Sequence, residues 1–192
     1  MLNLMRIAKK KTSEEQLIKI LREGGVAVIP TDTIYGIVGS ALKPQTVARI
    51  YRLRKRNPKK PMIVLISSIR ELAQFGVRIR KPVLRFLRGV WPGRVSVALS
   101  ITGKKFEYLH RGTGYIAFRV PAKKSLCELL EKTGPLVAPS ANVEGKPPST
   151  TIEEAQKYFG ARVDYYLDGG KVEKKASTLV KILEGKPVIV RK

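Results

Sequence analysis

The sequence predicts a single α/β domain, a mixed and twisted sheet layered with helices. Three observations carry this reading. Helical patterns interleave irregularly with short continuous apolar runs of strand length, such as "VAVIP" at 26–30 and "MIVLIS" at 62–67. The chain has 192 residues, 43% hydrophobic and 28% charged, which suits one globular domain with a sizeable core. Glycine, proline and acidic residues are scattered, so no linker, repeat or low-complexity tail divides it.

The elements follow in order. "TSEEQLIKILREGG" pairs Ser13 with Gln16 as a capping box and stops at Gly24-Gly25, predicting a helix. "VAVIP" is a buried strand. "KPQTVARIYRLRKR" has Pro44 near its start and Val47, Ile50 and Tyr51 on one face, giving a second helix. "MIVLIS" is again a buried strand, followed by the helical stretches "SIRELAQF" and "KPVLRFLRG". "RVSVALSI" and "YIAFRVP" read as strands, the first with clear alternation. "KSLCELLEKTG" is a helix, "PLVAPSAN" a strand running into a turn, and "TIEEAQKYFG" a helix. "STLVKIL" and "PVIVRK" close the chain as strands about an "EGKP" turn.

Composition narrows the chemistry. There are 38 Lys and Arg against 15 Asp and Glu, a formal charge of +23, which draws the chain toward phosphates on nucleotide or nucleic acid. The same charge also serves plain solubility. One His and one Cys exclude a His/Cys metal cage, and three Asp make a carboxylate-built metal site a poor expectation, so no protein metal site is expected. His110 in "EYLHRGTG" has no nucleophile elbow to serve and reads as surface or structural. No Walker loop is present, so phosphates must be met by side-chain cations and hydroxyls. No apolar run reaches membrane-spanning length, the N-terminus lacks signal-peptide features, and the lone Cys127 fits a reducing cytoplasm.

The polar clusters fall at predicted strand ends. "PTDTIYG" follows one strand, "RKRNPKKP" precedes another, "FRVP" and "APSAN" end strands, and "ASTLV" begins one. Ligands of open α/β sheets commonly sit there. Thr31, Asp32, Thr33 and Tyr35 would then line a pocket. The alternative is that Thr and Asp cap a turn and Tyr35 belongs to the core.

Taken together, "PTDTIYG", "RKRNPKKPMIVLI", "WPGRVSVAL", "RVP", "APSANVEGKPPST" and "STLVKI" are similar, in this order, to the YrdC-like threonylcarbamoyl-adenylate synthases. The resemblance runs from about Ser13 to Arg191, with residues 13–192 as the YrdC-like domain behind a short basic lead-in, 1–12. It implies an open twisted mixed sheet with flanking helices and a concave basic groove, in the short single-domain form. It also implies ATP-dependent synthesis of threonylcarbamoyl-AMP from L-threonine and bicarbonate with release of pyrophosphate. This would be the first step of N6-threonylcarbamoyladenosine formation in tRNA, with a downstream tRNA threonylcarbamoyltransferase complex as partner. Mg²⁺ would be held mainly by the ATP phosphates.

The site residues carried by the resemblance are specific. Thr33 would hold the amino acid, with Thr31 and Tyr35 shaping its pocket. Arg54 and Arg56 match paired basic positions over the phosphates and carbamate, the catalytic pair, and Lys60 lies near the nucleotide. Arg119 would bind the threonine carboxylate as a fork. Ser140 and Asn142 match nucleotide contacts, Ser177 meets threonine or its carbamate, and Arg191 meets ATP. The sequence departs from the pattern at Arg54 (usually lysine), Leu65 (histidine in some relatives), Arg94 (usually proline) and Lys181 (commonly aspartate). The rival readings are a non-catalytic module holding tRNA or duplex RNA in the basic groove, and a carbamoyl-adenylate-forming relative like the YrdC-like domain of hydrogenase-maturation carbamoyltransferases.

Overall fold

Alternation along the strands divides one sheet into two unequal faces. The computed structural model describes residues 2–192, with side chains from Ser13 onward. Its strands are β1 (Val26–Pro30), β2 (Tyr35–Ser40), β3 (Ile63–Leu65), β4 (Val95–Ser100), β5 (Tyr115–Arg119), β6 (Leu136–Val137), β7 (Tyr165–Tyr166), β8 (Thr178–Leu183) and β9 (Lys186–Arg191). They form a mixed sheet in the order β7-β1-β2-β6-β3-β5-β4-β8-β9. The pairs β1/β7, β3/β5 and β4/β8 are parallel and the others antiparallel. The helices are α1 (Leu2–Glu23), α2 (Pro44–Arg54), α3 (Lys81–Val90), α4 (Glu107–His110), α5 (Lys124–Thr133) and α6 (Ile152–Phe159), with a 3₁₀ segment at Ile69–Phe75.

The first face is apolar along its whole length. Val28, Ile37, Val64, Val97, Phe118 and Val137 pack with Val47 and Ile50 of α2, Phe75, Leu87 of α3, Leu109 of α4 and Phe159 of α6. Phe75 meets Phe118 edge-on at 5.0 Å between ring centres, a favoured aromatic geometry. Each such side chain contributes about 1.5–3 kcal/mol on burial.

The second face is covered only in part. Ala27, Ile29, Val38, Leu65 and Leu136 pack with Leu17 and Leu21 of α1 and with Leu126, Leu129 and Leu130 of α5. Beyond this cluster the same face carries Gly36, Ala98, Ala117 and Ala138, and there it forms the floor of a groove. Small residues on adjacent strands leave a hollow because nothing projects from the sheet to fill it. The resemblance's histidine position, Leu65, lies fully buried under α1 and α5 and does not line the hollow.

Local sequence explains how the groove's edges are placed. Pro44 starts α2, where a missing N–H costs nothing. Lys55 ends it in the left-handed region at φ 48°, its N–H bonded to the Arg52 carbonyl. α2 therefore stops with Arg54 and Arg56 on either side of a sharp turn. Gly39 is required where β2 passes under α2, since a Cβ there would lie 2.5 Å from Thr46 Cγ2.

The structure differs from the sequence reading at α1 and at three short elements. α1 begins at Leu2, so Ser13 sits inside the helix instead of capping it. The side chains of the lead-in 1–12 lie outside the described residues. β2, α4 and β7 were not predicted: Gly36 and Gly39 disguise β2, and the other two are only four and two residues long.

Candidate active site

The hollow on the second face encloses about 330 Å³, in the range of small-ligand sites. The structure brings together eight of the residues expected there: Thr31, Thr33, Arg54, Arg56, Arg119, Ser140, Ser177 and Arg191. Thr113, Tyr115 and Lys181 join them. Five cations thus line the cavity, and no carboxylate does.

The turn between β1 and β2 is closed by one hydroxyl. Thr31 Oγ1 donates to the Ile34 carbonyl at 2.6 Å and accepts from the Thr33 and Ile34 N–H groups at 3.1 and 3.2 Å. It also lies 3.0 Å from Thr33 Oγ1. Thr31 therefore does both things the sequence allowed: it organises the turn and lines the groove. Thr33 also lines the groove, 3% exposed.

Arg54 is buried with no carboxylate partner. Its Nε donates to the Asn142 carbonyl at 3.0 Å, and its Nη2 donates to Ser140 Oγ at 3.1 Å and Asn142 Oδ1 at 3.2 Å. Nη1 is buried and unpartnered. Burial, then repulsion from Arg56, lowers its pKa to about 10, so the group stays charged at neutral pH but is costly to keep so. An anion beside Nη1 would relieve both causes.

Arg119 is buried too, but it has a counter-ion. Nη1 pairs with Asp32 Oδ1, and Asp32 Oδ2 accepts the Ala122 N–H at 3.1 Å. Its Nε is buried without a partner, while the ion pair holds the side chain still. Ser177 Oγ lies 2.9 Å from Ser96 Oγ, both buried, and the Ser177 carbonyl accepts from Arg191 Nη2 at 3.0 Å. Arg56 bonds the Lys60 and Pro61 carbonyls at 3.1 and 2.8 Å, tying down the loop after α2.

Four expected residues stand elsewhere, Asp32 among them, taken up by Arg119 and the Ala122 N–H and outside the groove lining. Tyr35 points to the first face and is fully buried; its hydroxyl donates to the Gly170 carbonyl at 2.8 Å and accepts the Gly169 N–H at 2.9 Å. Burial first, and Asp168 among the smaller causes, raises its pKa above the usual phenol value. Asn142 is buried behind Arg54 and braces it, its amide held by the Val143 and Lys146 carbonyls. Lys60 is exposed and paired with Glu144 at 2.9 Å, outside the cavity lining. Sequence reasoning missed Lys181 and Tyr115 as lining groups. Lys181 Nζ sits 3.8 Å above the Tyr115 ring. The two-residue period of β8 from Ser177 through Leu179 was the available signal. His110 is buried in α4, where Nδ1 accepts the Gly112 N–H at 3.2 Å, and it lies outside the groove.

A five-cation, acid-free groove on the half-covered face of a mixed sheet defines an α/β protein whose site is electrostatically suited to an anion. A family model for Sua5/YciO/YrdC, described as telomere recombination, matches residues 19–192, and the chain belongs to that family. It is 30% identical over 184 residues to the threonylcarbamoyl-AMP synthase of Pyrococcus abyssi, covering 93% of this chain and 54% of that protein. It is 30% identical over 155 residues to the threonylcarbamoyl-AMP synthase of Coxiella burnetii, covering 79% of this chain and 82% of that one. The crystal structure of P. abyssi Sua5 complexed with L-threonine superposes with a TM-score of 0.85 at 28% identity, covering 93% of this chain and 53% of that one. The chain thus spans about half the length of the P. abyssi proteins it matches.

Proposed function

We propose that the groove joins L-threonine, bicarbonate and ATP into threonylcarbamoyl-AMP, releasing pyrophosphate. The observation that carries the reading is the acid-free lining, with Arg54 Nη1 and Arg119 Nε buried and unpartnered. Relatives bearing the name threonylcarbamoyl-AMP synthase, and a related chain crystallised with L-threonine, support it.

In chemical terms, the threonine amine adds to carbon dioxide, supplied by bicarbonate, and loses a proton to give a carbamate. A carbamate oxygen then attacks the α-phosphorus, a new P–O bond forms, and the bond to the bridging oxygen breaks as pyrophosphate departs. Such a step requires positioning and charge neutralisation more than a protein nucleophile. Arg119 presents its Nε edge to the threonine carboxylate while Asp32 holds Nη1, and Thr33 meets the amino acid. Arg54 and Arg56 neutralise the carbamate and phosphates, Ser140 and Ser177 supply hydroxyls, and Arg191 and Lys181 close the phosphate end. Asn142 acts through Arg54.

The groove lining offers no carboxylate, and no group of three or more His, Cys, Asp or Glu among the described residues could hold a metal. Mg²⁺, when bound, would be carried by the triphosphate and would screen phosphate charge. Handing the product to a tRNA threonylcarbamoyltransferase complex in the cytoplasm completes the proposal. Among the described residues, no helix is long and apolar enough to cross a membrane. Direct tRNA or duplex RNA contact is the second reading, favoured by the charge of +23.

ATP–pyrophosphate exchange that requires both threonine and bicarbonate tests the reading. Serine should support slower exchange and valine less still, because a site built for a hydroxyl rejects its absence more strongly than the loss of a methyl. Exchange that ignores threonine, or valine matching serine, sinks it.

A further inference from the structure

A second cavity, of about 530 Å³, adjoins the groove through Thr31, which lines both. Its charged lining is Arg94, Lys123, Lys171 and Lys174 against Asp32 and Glu173, four cations less two carboxylates, a surplus of two. Both carboxylates are already engaged. Asp32 is held by Arg119 and the Ala122 N–H, and Glu173 pairs with Lys171 at 2.6 Å. Arg94, Lys123 and Lys174 have no ion pair among the described residues.

One wall of the cavity is anchored at its base. The Tyr35 hydroxyl grips the Gly169 N–H and the Gly170 carbonyl, and the Val172 N–H donates to the Thr150 carbonyl at 2.8 Å. Gly169 presses on Pro30 so closely that a Cβ would lie 2.4 Å from its Cγ. The chain is thus anchored on either side of Lys171, and Lys174 follows two residues beyond the last of these contacts. Lys123 faces it with a part-buried ammonium, whose contact to the Pro30 carbonyl is long at 3.3 Å. Burial and then the nearness of Lys174 lower the Lys123 pKa, with Asp32 opposing. Two ammonium groups brought close, with no carboxylate shared between them, leave room for a mobile counter-ion.

We propose that this cavity is a second anion site that takes a small phosphate-class anion, with Arg94, Lys123 and Lys174 as its donors. Three cations match the several oxygens and multiple charge of such an anion. No aromatic ring lines the cavity, so it offers nothing on which a base could stack. The assignment also gives Tyr35 a role: it builds this site's wall and does not touch the groove's ligand.

Calorimetric titration of the full chain with pyrophosphate at low ionic strength tests the proposal. Two sites are expected. K123Q/K174Q should weaken one by about tenfold or more, since two charge-assisted contacts are lost, and should leave threonine-dependent exchange unchanged. Arg56→Ala should weaken the other. An isotherm for K123Q/K174Q identical to that of the unsubstituted chain overturns the site. So does a K123Q/K174Q chain that loses tRNA binding but keeps both pyrophosphate sites, because its lysines would then serve an RNA backbone. The titration needs neither threonine nor turnover, so a failed exchange assay does not touch it.

Discussion

The two faces of the sheet are made by the same strands, residue by alternate residue, yet they do opposite work. On β5, Ile116 and Phe118 point into a covered core, while Tyr115, Ala117 and Arg119 point into the groove. On β4, Val97 and Leu99 are core and Ala98 is floor. The core face holds large apolar side chains that touch helices; the groove face holds small side chains under cations. On β4 and β5, stability and ligand binding are thereby separated by a single residue step, and a substitution there acts on one or the other according to its parity.

That contrast is open to direct attack. Phe118→Ala should cost about 3–5 kcal/mol in chemical denaturation, because the cavity left against Phe75 cannot close. Its neighbour Ala117→Leu should cost less than about 1 kcal/mol, since the added side chain enters open space, while abolishing threonine-dependent exchange by filling the floor. Comparable stability losses in the two would end the division between faces.

A smaller effect is expected at the groove's rim. Arg56→Ala should cut adenylate formation by more than about tenfold, the loss of a preorganised charge, with little change in melting temperature. Normal turnover in this variant would restrict Arg56 to tying down the loop through the Lys60 and Pro61 carbonyls.

The smallest effect belongs to a pair remote from the groove. Asp164 accepts from Arg49 at 2.5 and 2.9 Å and from the Val26 N–H at 2.7 Å, and these bonds, Arg49's first, hold its carboxyl below the ordinary value. A depressed carboxyl stabilises the fold above its unfolded pKa, and that contribution is lost as pH falls through the folded pKa. Asp164→Asn should therefore cost about 0.5–1 kcal/mol at neutral pH, discounted for solvent screening, and match the unsubstituted chain at pH well below 3.8. A gap that persists in acid would assign the effect to packing.

Much of this was legible beforehand. Continuous apolar runs found β1 and β3, alternation found β4, and Pro44 and Gly134 marked helix ends. Strand-end clusters drew attention to Thr31 and Thr33, and the resemblance to the YrdC-like synthases carried all eight groove residues. What stayed hidden depended on which face a helix covers. A tyrosine after a strand-end turn looks the same whether it lines a groove, as Tyr115 does, or supports a distant loop, as Tyr35 does. Asp32 resembled a ligand group within "PTDT", but its partner Arg119 lies 87 positions along the chain. Lys181 stood out only as a departure from a pattern, and its place over Tyr115 follows from β8 lying beside β4.

The outermost strand carries one last implication. Arg191 belongs to β9, which closes the sheet's edge, is solvent-exposed at all six positions, and is joined to β8 across an irregular register between Leu179 and Val180. Edge strands open locally at low cost, well before the domain as a whole. An opening of β9 would carry Arg191 away and leave the groove with four cations. A ligand held by Arg191 binds the closed edge alone, and must therefore slow amide exchange along β9 by the same free energy that Arg191 adds to its affinity.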